Sequence, residues 1–169
     1  MKLHRLAILP ALAALIALTG CGPSSKSSGT SSTTPAATPA PASGRAIAIT
    51  ANDTMKFSLL EIRAKPGESL SVTLTNVGTT PKFSMGHNWI LLQPDTDLLA
   101  FVNAAATAAA TDYKPAEFKA KIIASTKLLG PKEHDTATFN APTKPGSYPF
   151  LCSFPGHFQV GMKGVLIVE

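Results

Sequence analysis

Between Gly22 and Gly44 the chain has almost nothing to fold with: its 23 residues are Gly, Ala, Pro, Ser or Thr, with Lys26 the one exception. Such a stretch buries too little apolar surface to offset the entropy of ordering it, so it reads as a tether. As a coil it spans roughly 25 to 30 Å, and about 70 Å if drawn out as polyproline II. Globular structure is therefore confined to Arg45–Glu169, 125 residues, the usual size of one domain with one core.

What precedes the tether is equally specialised. Leu6 to Leu18 is Leu, Ile and Ala with Pro10 the only interruption, behind Lys2, His4 and Arg5. This is the charged start and short apolar run of an export signal, too brief to remain as a membrane-spanning helix. Its end, Leu18-Thr19-Gly20-Cys21, resembles a bacterial lipobox, in which the cysteine sulfur accepts diacylglycerol and becomes the first residue of the mature chain. The expected organisation is a signal peptide over 1–20, lipidated Cys21 and the tether over 21–44, and a domain over 45–169. The product should sit outside the cytoplasm on a bacterial membrane without crossing it, anchored by several acyl chains. Gly22, rather than an acidic residue after Cys21, favours the outer membrane where the host has one.

Loss of Lys2 and Arg5 leaves 13 basic residues against 10 acidic ones, a net charge of only +3. That argues against a nucleic-acid partner, which wants a basic stripe. With Cys21 spent on lipid, Cys152 has no second cysteine to pair with, so no internal disulfide is expected.

Within the domain, Leu70-Ser71-Val72-Thr73-Leu74-Thr75 alternates apolar and polar residues between the turn signals Lys65-Pro66-Gly67-Glu68 and Asn76-Val77-Gly78, as a half-buried strand does. Similar short strands are read at 45–50, 57–62, 88–92, 135–140, 147–152 and 162–168. Gly and Pro punctuate them as in an all-β sandwich. Asp95 to Thr111, rich in Ala and Leu behind capping Asp and Thr residues, reads as a helix inserted between strands, and Lys114-Pro115 as the start of a second turn or short helix.

Chemistry concentrates near the C-terminus. Cys152-Ser153-Phe154-Pro155-Gly156-His157-Phe158-Gln159-Val160-Gly161-Met162 places a thiol, an imidazole and a thioether on one loop between two expected strands. A second imidazole, His87, stands in Met85-Gly86-His87-Asn88. Two imidazoles and a thiolate with a distant thioether suit copper in electron-transfer sites, because sulfur favours Cu(I) while imidazole accepts either oxidation state. No acidic residue lies between Cys152 and Met162 to harden the set. His134 reads as a solvated turn residue, and Met55 and Trp89 as packing residues.

The domain resembles azurin and, still more, the auracyanins, blue copper proteins of the cupredoxin family. The matching stretches are Asn52-Asp53-Thr54-Met55-Lys56-Phe57, Met85-Gly86-His87-Asn88-Trp89, Ile122-Ile123-Ala124-Ser125-Thr126-Lys127-Leu128, and Cys152 through Val168. The resemblance implies an all-β, eight-stranded Greek-key β-sandwich with a helical flap. It further implies one type 1 copper held by His87, Cys152, His157 and Met162, with the Gly86 carbonyl as a weak fifth contact. It implies that Asn88 ties the two ligand loops together and that the Phe154 amide donates to the Cys152 sulfur. Four residues separate His157 from Met162, the auracyanin and plastocyanin spacing, where azurins have three.

By the same resemblance the protein is an electron carrier and not an enzyme, a monomer that exchanges single electrons with c-type cytochromes or a terminal reductase or oxidase. His157 would be the port, within a docking patch of Met85, Phe154, Pro155, Phe158 and Val160. Two rival readings compete: a copper carrier or buffer that does not cycle electrons, and a metal-free sandwich used for adhesion. A copper buffer would present open Met- and His-rich or paired-Cys surfaces, and only four Met, one of them Met1, argue against that reading. Nor does the sequence carry a phosphate-cradling Gly loop, a zinc-hydrolase helix or a nucleophile elbow.

Overall fold

The computed structural model describes residues 44–169, so the expected signal, Cys21 and tether lie outside the described residues. In chain order the elements are strands β1 (Arg45–Ala51), β2 (Glu61–Ala64) and β3 (Ser69–Asn76), helix α1 (Lys82–Met85), strand β4 (Ile90–Leu92), helix α2 (Leu98–Ala105), and strands β5 (Ile122–Ser125), β6 (His134–Asn140), β7 (Gly146–Leu151) and β8 (Lys163–Val168). They form a three-stranded sheet in the order β1-β3-β6 and a five-stranded sheet in the order β2-β8-β7-β4-β5. This is the all-β, eight-stranded sandwich expected.

Alternation decides which side chains meet. In β3, Leu70, Val72, Leu74 and Asn76 point inward while Ser71 and Thr73 face out and meet Thr138 and Thr136 across the ladder. The opposite sheet contributes Trp89, Leu91, Phe150 and Leu166 to the same core. β4 is buried on both faces, because α2 covers its outer side: Ile90 and Leu92 pack with Phe101, Val102, Leu151 and Phe158 in a second cluster. A strand covered twice reads as a continuous apolar run.

Three segments differ from the sequence expectation. The helix read over Asp95–Thr111 is only two turns long. Asp97 caps it by accepting from the amides of Leu99 and Ala100, at 3.0 Å each. Beyond Ala105 no apolar stripe remains to bury, the Thr107 hydroxyl bonds back to the Ala104 carbonyl, and alanine propensity alone does not hold a short helix. The strand read over 57–62 is shifted: Phe57 makes only an isolated bridge to Ala51, and pairing begins at Glu61, because the chain crosses here from one sheet to the other. β5 has no alternation to show, since all four of its residues are half-buried at the edge of the five-stranded sheet. A 3-10 helix, Ala116–Lys121, follows Lys114-Pro115.

Candidate metal centre

Strand register brings the candidate ligands to one end of the sandwich. β4 and β7 are antiparallel neighbours with Ile90 opposite Leu151, so His87, just before β4, and Cys152, just after β7, leave the sheet on the same side. β7 and β8 are likewise antiparallel, with Leu151 opposite Lys163, which sets Met162 beside Cys152. The Cys152 amide donates to the Met162 carbonyl at 3.1 Å, and the Met162 amide donates to the His157 carbonyl at 3.0 Å. Gly156 (φ +86°) and Gly161 (φ +89°) take the left-handed conformations that let the intervening loop turn back on itself. His87 is pinned separately: it exchanges backbone hydrogen bonds with Leu129, at 3.1 and 2.8 Å.

The result is a buried triangle. One ligand atom from each of His87, Cys152 and His157 lies within 4.8 Å of the others. Cys152 Sγ is 3.4 Å from His157 Nδ1, and the two imidazole centroids are 4.9 Å apart. Ligands about 2.0–2.3 Å from a shared metal sit on this same scale of separation. His87, Cys152 and Met162 are inaccessible and His157 nearly so.

Burial dominates the electrostatics. It pushes the Cys152 thiol up to about 12, against smaller opposing hydrogen bonds from the Asn88 and Phe154 amides. It pushes His157 down to about 4, and the neighbouring His87 adds to that shift. His87 is also lowered by burial. The Asn52 backbone and the Asp53 charge pull His87 the other way, though neither of its ring nitrogens has a partner in hydrogen-bond geometry. A fully buried imidazole with both nitrogens unpaired is costly unless something else satisfies one of them. Two neutral imidazoles and a thiol converging on one point fit a soft-to-borderline metal ion, and the donor set of two nitrogens and one sulfur fits copper. Met162 supplies a buried thioether at the same end.

The remaining sequence-derived residues are placed as follows. Gly86 is buried, and a Cβ there would lie 2.7 Å from the Lys82 carbonyl oxygen and 2.9 Å from Leu128 Cγ. Asn88 joins the two loops: its Nδ2 donates to Ser153 Oγ and its Oδ1 accepts from the Ser153 amide, both at 2.9 Å. The docking patch requires correction. Pro155 and Val160 are exposed and Met85 is half-buried, but Phe154 and Phe158 turn inward. Phe158 joins the cluster under α2, and the Phe154 ring is held between His157 and Tyr113, with centroids at 4.7 and 5.1 Å. His134 opens β6 and is exposed, while Met55 is half-buried against the core and Trp89 is fully buried.

Ser153, Asp112 and Tyr113 escape a reading by residue type. None is a metal ligand, and their part is played through a hydroxyl and two backbone carbonyls.

A model of the copper binding proteins, plastocyanin/azurin family, matches residues 45–169. An azurin of Pseudomonas chlororaphis is 36% identical over 125 residues, covering 72% of this chain and 95% of the relative. Outer membrane protein H.8 of Neisseria gonorrhoeae is 36% identical over 127 residues, covering 73% and 68%. Among solved structures, a dithionite-reduced auracyanin from Roseiflexus castenholzii matches with a TM-score of 0.64 at 36% identity, covering 73% of this chain and 96% of that one. Auracyanin A from Chloroflexus aurantiacus, described as a blue copper protein, matches with a TM-score of 0.66 at 29% identity, covering 75% and 99%.

Proposed function

Because the chain belongs to the plastocyanin/azurin family of copper-binding proteins, we propose that it is a membrane-tethered blue copper protein whose His87, Cys152, His157 and Met162 hold the one copper. The domain is an electron carrier and not an enzyme. When bound, copper supplies a one-electron couple between Cu(II) and Cu(I).

The chain's own residues do the rest. His87, Cys152 and His157 supply a preformed set of donors, which limits rearrangement between oxidation states, and Met162 adds a buried thioether. The Gly86 carbonyl, in a loop with no room for a side chain, would be at most a weak fifth contact. The Asn88 and Phe154 amides face the sulfur and stabilise its anionic form. His157 keeps a trace of exposure, 2%, where His87 and Cys152 have none, which supports its role as port. Met85, Pro155 and Val160, which keep exposure, are the apolar residues that would serve brief encounters with redox partners such as c-type cytochromes or a terminal reductase or oxidase.

Tethering rests on the sequence of the first 44 residues, and the outer-membrane name of a relative supports it. No described helix is long and apolar enough to cross a membrane.

The buried triangle of His87, Cys152 and His157 carries the reading. Its test is titration of the purified apoprotein with Cu(II) followed by reduction. An intense visible thiolate-to-copper absorption that bleaches and returns at constant copper content is expected. Copper uptake without reversible reduction would overturn the electron-carrier function in favour of a buffer.

A further inference from the structure

Asp112 and Tyr113, in the connection after α2, have φ of 56° and 59°, two successive non-glycine residues in the left-handed region. That conformation is unfavourable for residues with side chains and persists where surrounding contacts hold it. Here the contacts are specific. The Asp112 carbonyl accepts from Asn88 Nδ2 at 2.8 Å, and the Tyr113 carbonyl accepts from Ser153 Oγ at 2.7 Å. Ser153 Oγ also accepts from Asn88 Nδ2 at 2.9 Å. One turn of the flap is thus bonded to the residue after His87 and to the residue after Cys152. The Tyr113 ring adds an edge contact to Phe154, the residue whose ring lies against His157.

We infer that the Asp112–Tyr113 turn is a positioning device for the metal ligands, acting through Asn88 and Ser153 to set how the His87 and Cys152 loops meet. The inference rests on the proposal that His87 and Cys152 bind copper. Asp112 is the left-handed C-cap of a 3-10 helix, Ala109–Thr111: its amide donates to the Ala109 carbonyl at 3.2 Å and the Tyr113 amide donates to the Ala108 carbonyl at 2.9 Å, so local capping fixes the backbone angles while the Asp112 and Tyr113 carbonyls remain free for Asn88 and Ser153. The left-handed pair aims two successive carbonyls at the one amide and the one hydroxyl that flank the ligands. Asn88 and Phe154 also carry the amides that face the Cys152 sulfur, so a shift of either loop changes the hydrogen bonding of that sulfur.

The test uses the full-length protein with Ser153→Ala and, independently, Asp112→Val, since a β-branched residue resists φ near +56°. Each variant should still take up one copper, yet show a visible band altered in position or intensity and a reduction potential displaced from that of the unaltered protein. In the apoproteins, exchange at the Asn88 and Phe154 amides should quicken on the order of tenfold, as loss of a buried hydrogen bond allows. Ser153→Thr, which keeps the hydroxyl, and Asp112→Gly, which admits the backbone angle, should restore the original spectrum and potential. An unchanged band and potential in both disruptive variants overturns the inference, whatever exchange shows. Should Ser153→Ala fail to fold, Asp112→Val decides alone. If the unaltered protein takes up no copper, the proposed function fails, and unchanged amide exchange in the apo variants would separately overturn the positioning role of the turn.

Discussion

The Cys152 sulfur and His157 Nδ1 lie 3.4 Å apart inside a loop whose ends are joined by the Cys152 amide and the Met162 carbonyl. Two donors five positions apart are thereby held in reach of one ion by the loop that the β7–β8 pairing closes. Cys152→Ser keeps the size of the side chain and removes the thiolate. The variant should fold, and the visible thiolate-to-copper band should vanish on adding Cu(II). A band that survived would assign the sulfur contact elsewhere.

Protonation of the site follows from burial, and its sign reverses when metal is present. Without metal the Cys152 thiol, raised to about 12, is protonated at neutral pH and both imidazoles are neutral. Cu(II) uptake near pH 7.5 should therefore release about one proton per copper, from the thiol; an indicator dye in weak buffer reads this directly, and no release would refute it.

The same shifts shape the stability of the apoprotein. The folded His157 pKa is depressed from 6.5 to about 4, so the unfolded chain takes up the proton first and stability falls as pH drops from 6.5 towards 4. The folded Cys152 pKa is raised from 9.0 to about 12, so stability falls as pH rises from 9 towards 12. Urea midpoints of the apoprotein should accordingly form a plateau between about pH 6.5 and pH 9 and decline on both sides.

Gly86 has φ −68° and ψ 148°, angles open to any residue, so its requirement is steric. In Gly86→Ala the new Cβ meets the Lys82 carbonyl and Leu128. Displacement of the His87 loop should cost about 1–3 kcal/mol of stability and weaken copper binding. Thermal unfolding together with a competition titration against a chelator measures both, and an unaffected His87 loop would leave both unchanged.

Phe158 stands between the ligand loop and the flap: it packs with Phe101 and Val102 of α2, and Lys163 Nζ lies 4.8 Å from its ring centroid. Phe158→Ala should destabilise the domain by about 3 kcal/mol and expose the segment around α2 to proteolysis first. Limited digestion followed by mass analysis would show whether the early cuts fall between residues 97 and 121.

Attachment to the membrane is read from residues outside those described, so its prediction is cellular. Cys21→Ser should move the protein from the membrane fraction to the soluble fraction without altering its copper spectrum. Persistence of the variant in the washed membrane fraction would point to another means of attachment.

Much of the fold was legible because two-residue periodicity survives wherever a strand has one wet face, as in β3 with its alternating Leu70, Ser71, Val72 and Thr73. It is absent from β5, which no expected strand covered, and also from β4, which the strand read over 88–92 contains. Ile90, Leu91 and Leu92 are all buried, whereas Ile122 to Ser125 are all half-buried, so neither shows a polar face and an apolar face. The helix was overextended because Ala108 to Thr111 have helix propensity but no core to face.

In the site, Cys152, His157 and Met162 were legible as donor types crowded into eleven residues, and Gly86-His87-Asn88 as a second, separate source. Ser153 and Tyr113 were not, since a hydroxyl or a carbonyl announces no chemistry until its partner is known. Phe154 and Phe158 were misread as surface because loop residues with large rings carry no periodicity by which to assign a face.

By itself the amino-acid order determined the sandwich class and which atoms could serve as ligands, since each is a property of local composition or spacing. Only the tertiary structure decided that His87 reaches Cys152, that the flap turn at Asp112–Tyr113 is bonded to both ligand loops, and which rings remain on the surface. Those relations depend on strand register across β4, β7 and β8 and on contacts between segments 24 to 65 residues apart, and no local pattern encodes which distant segments come together.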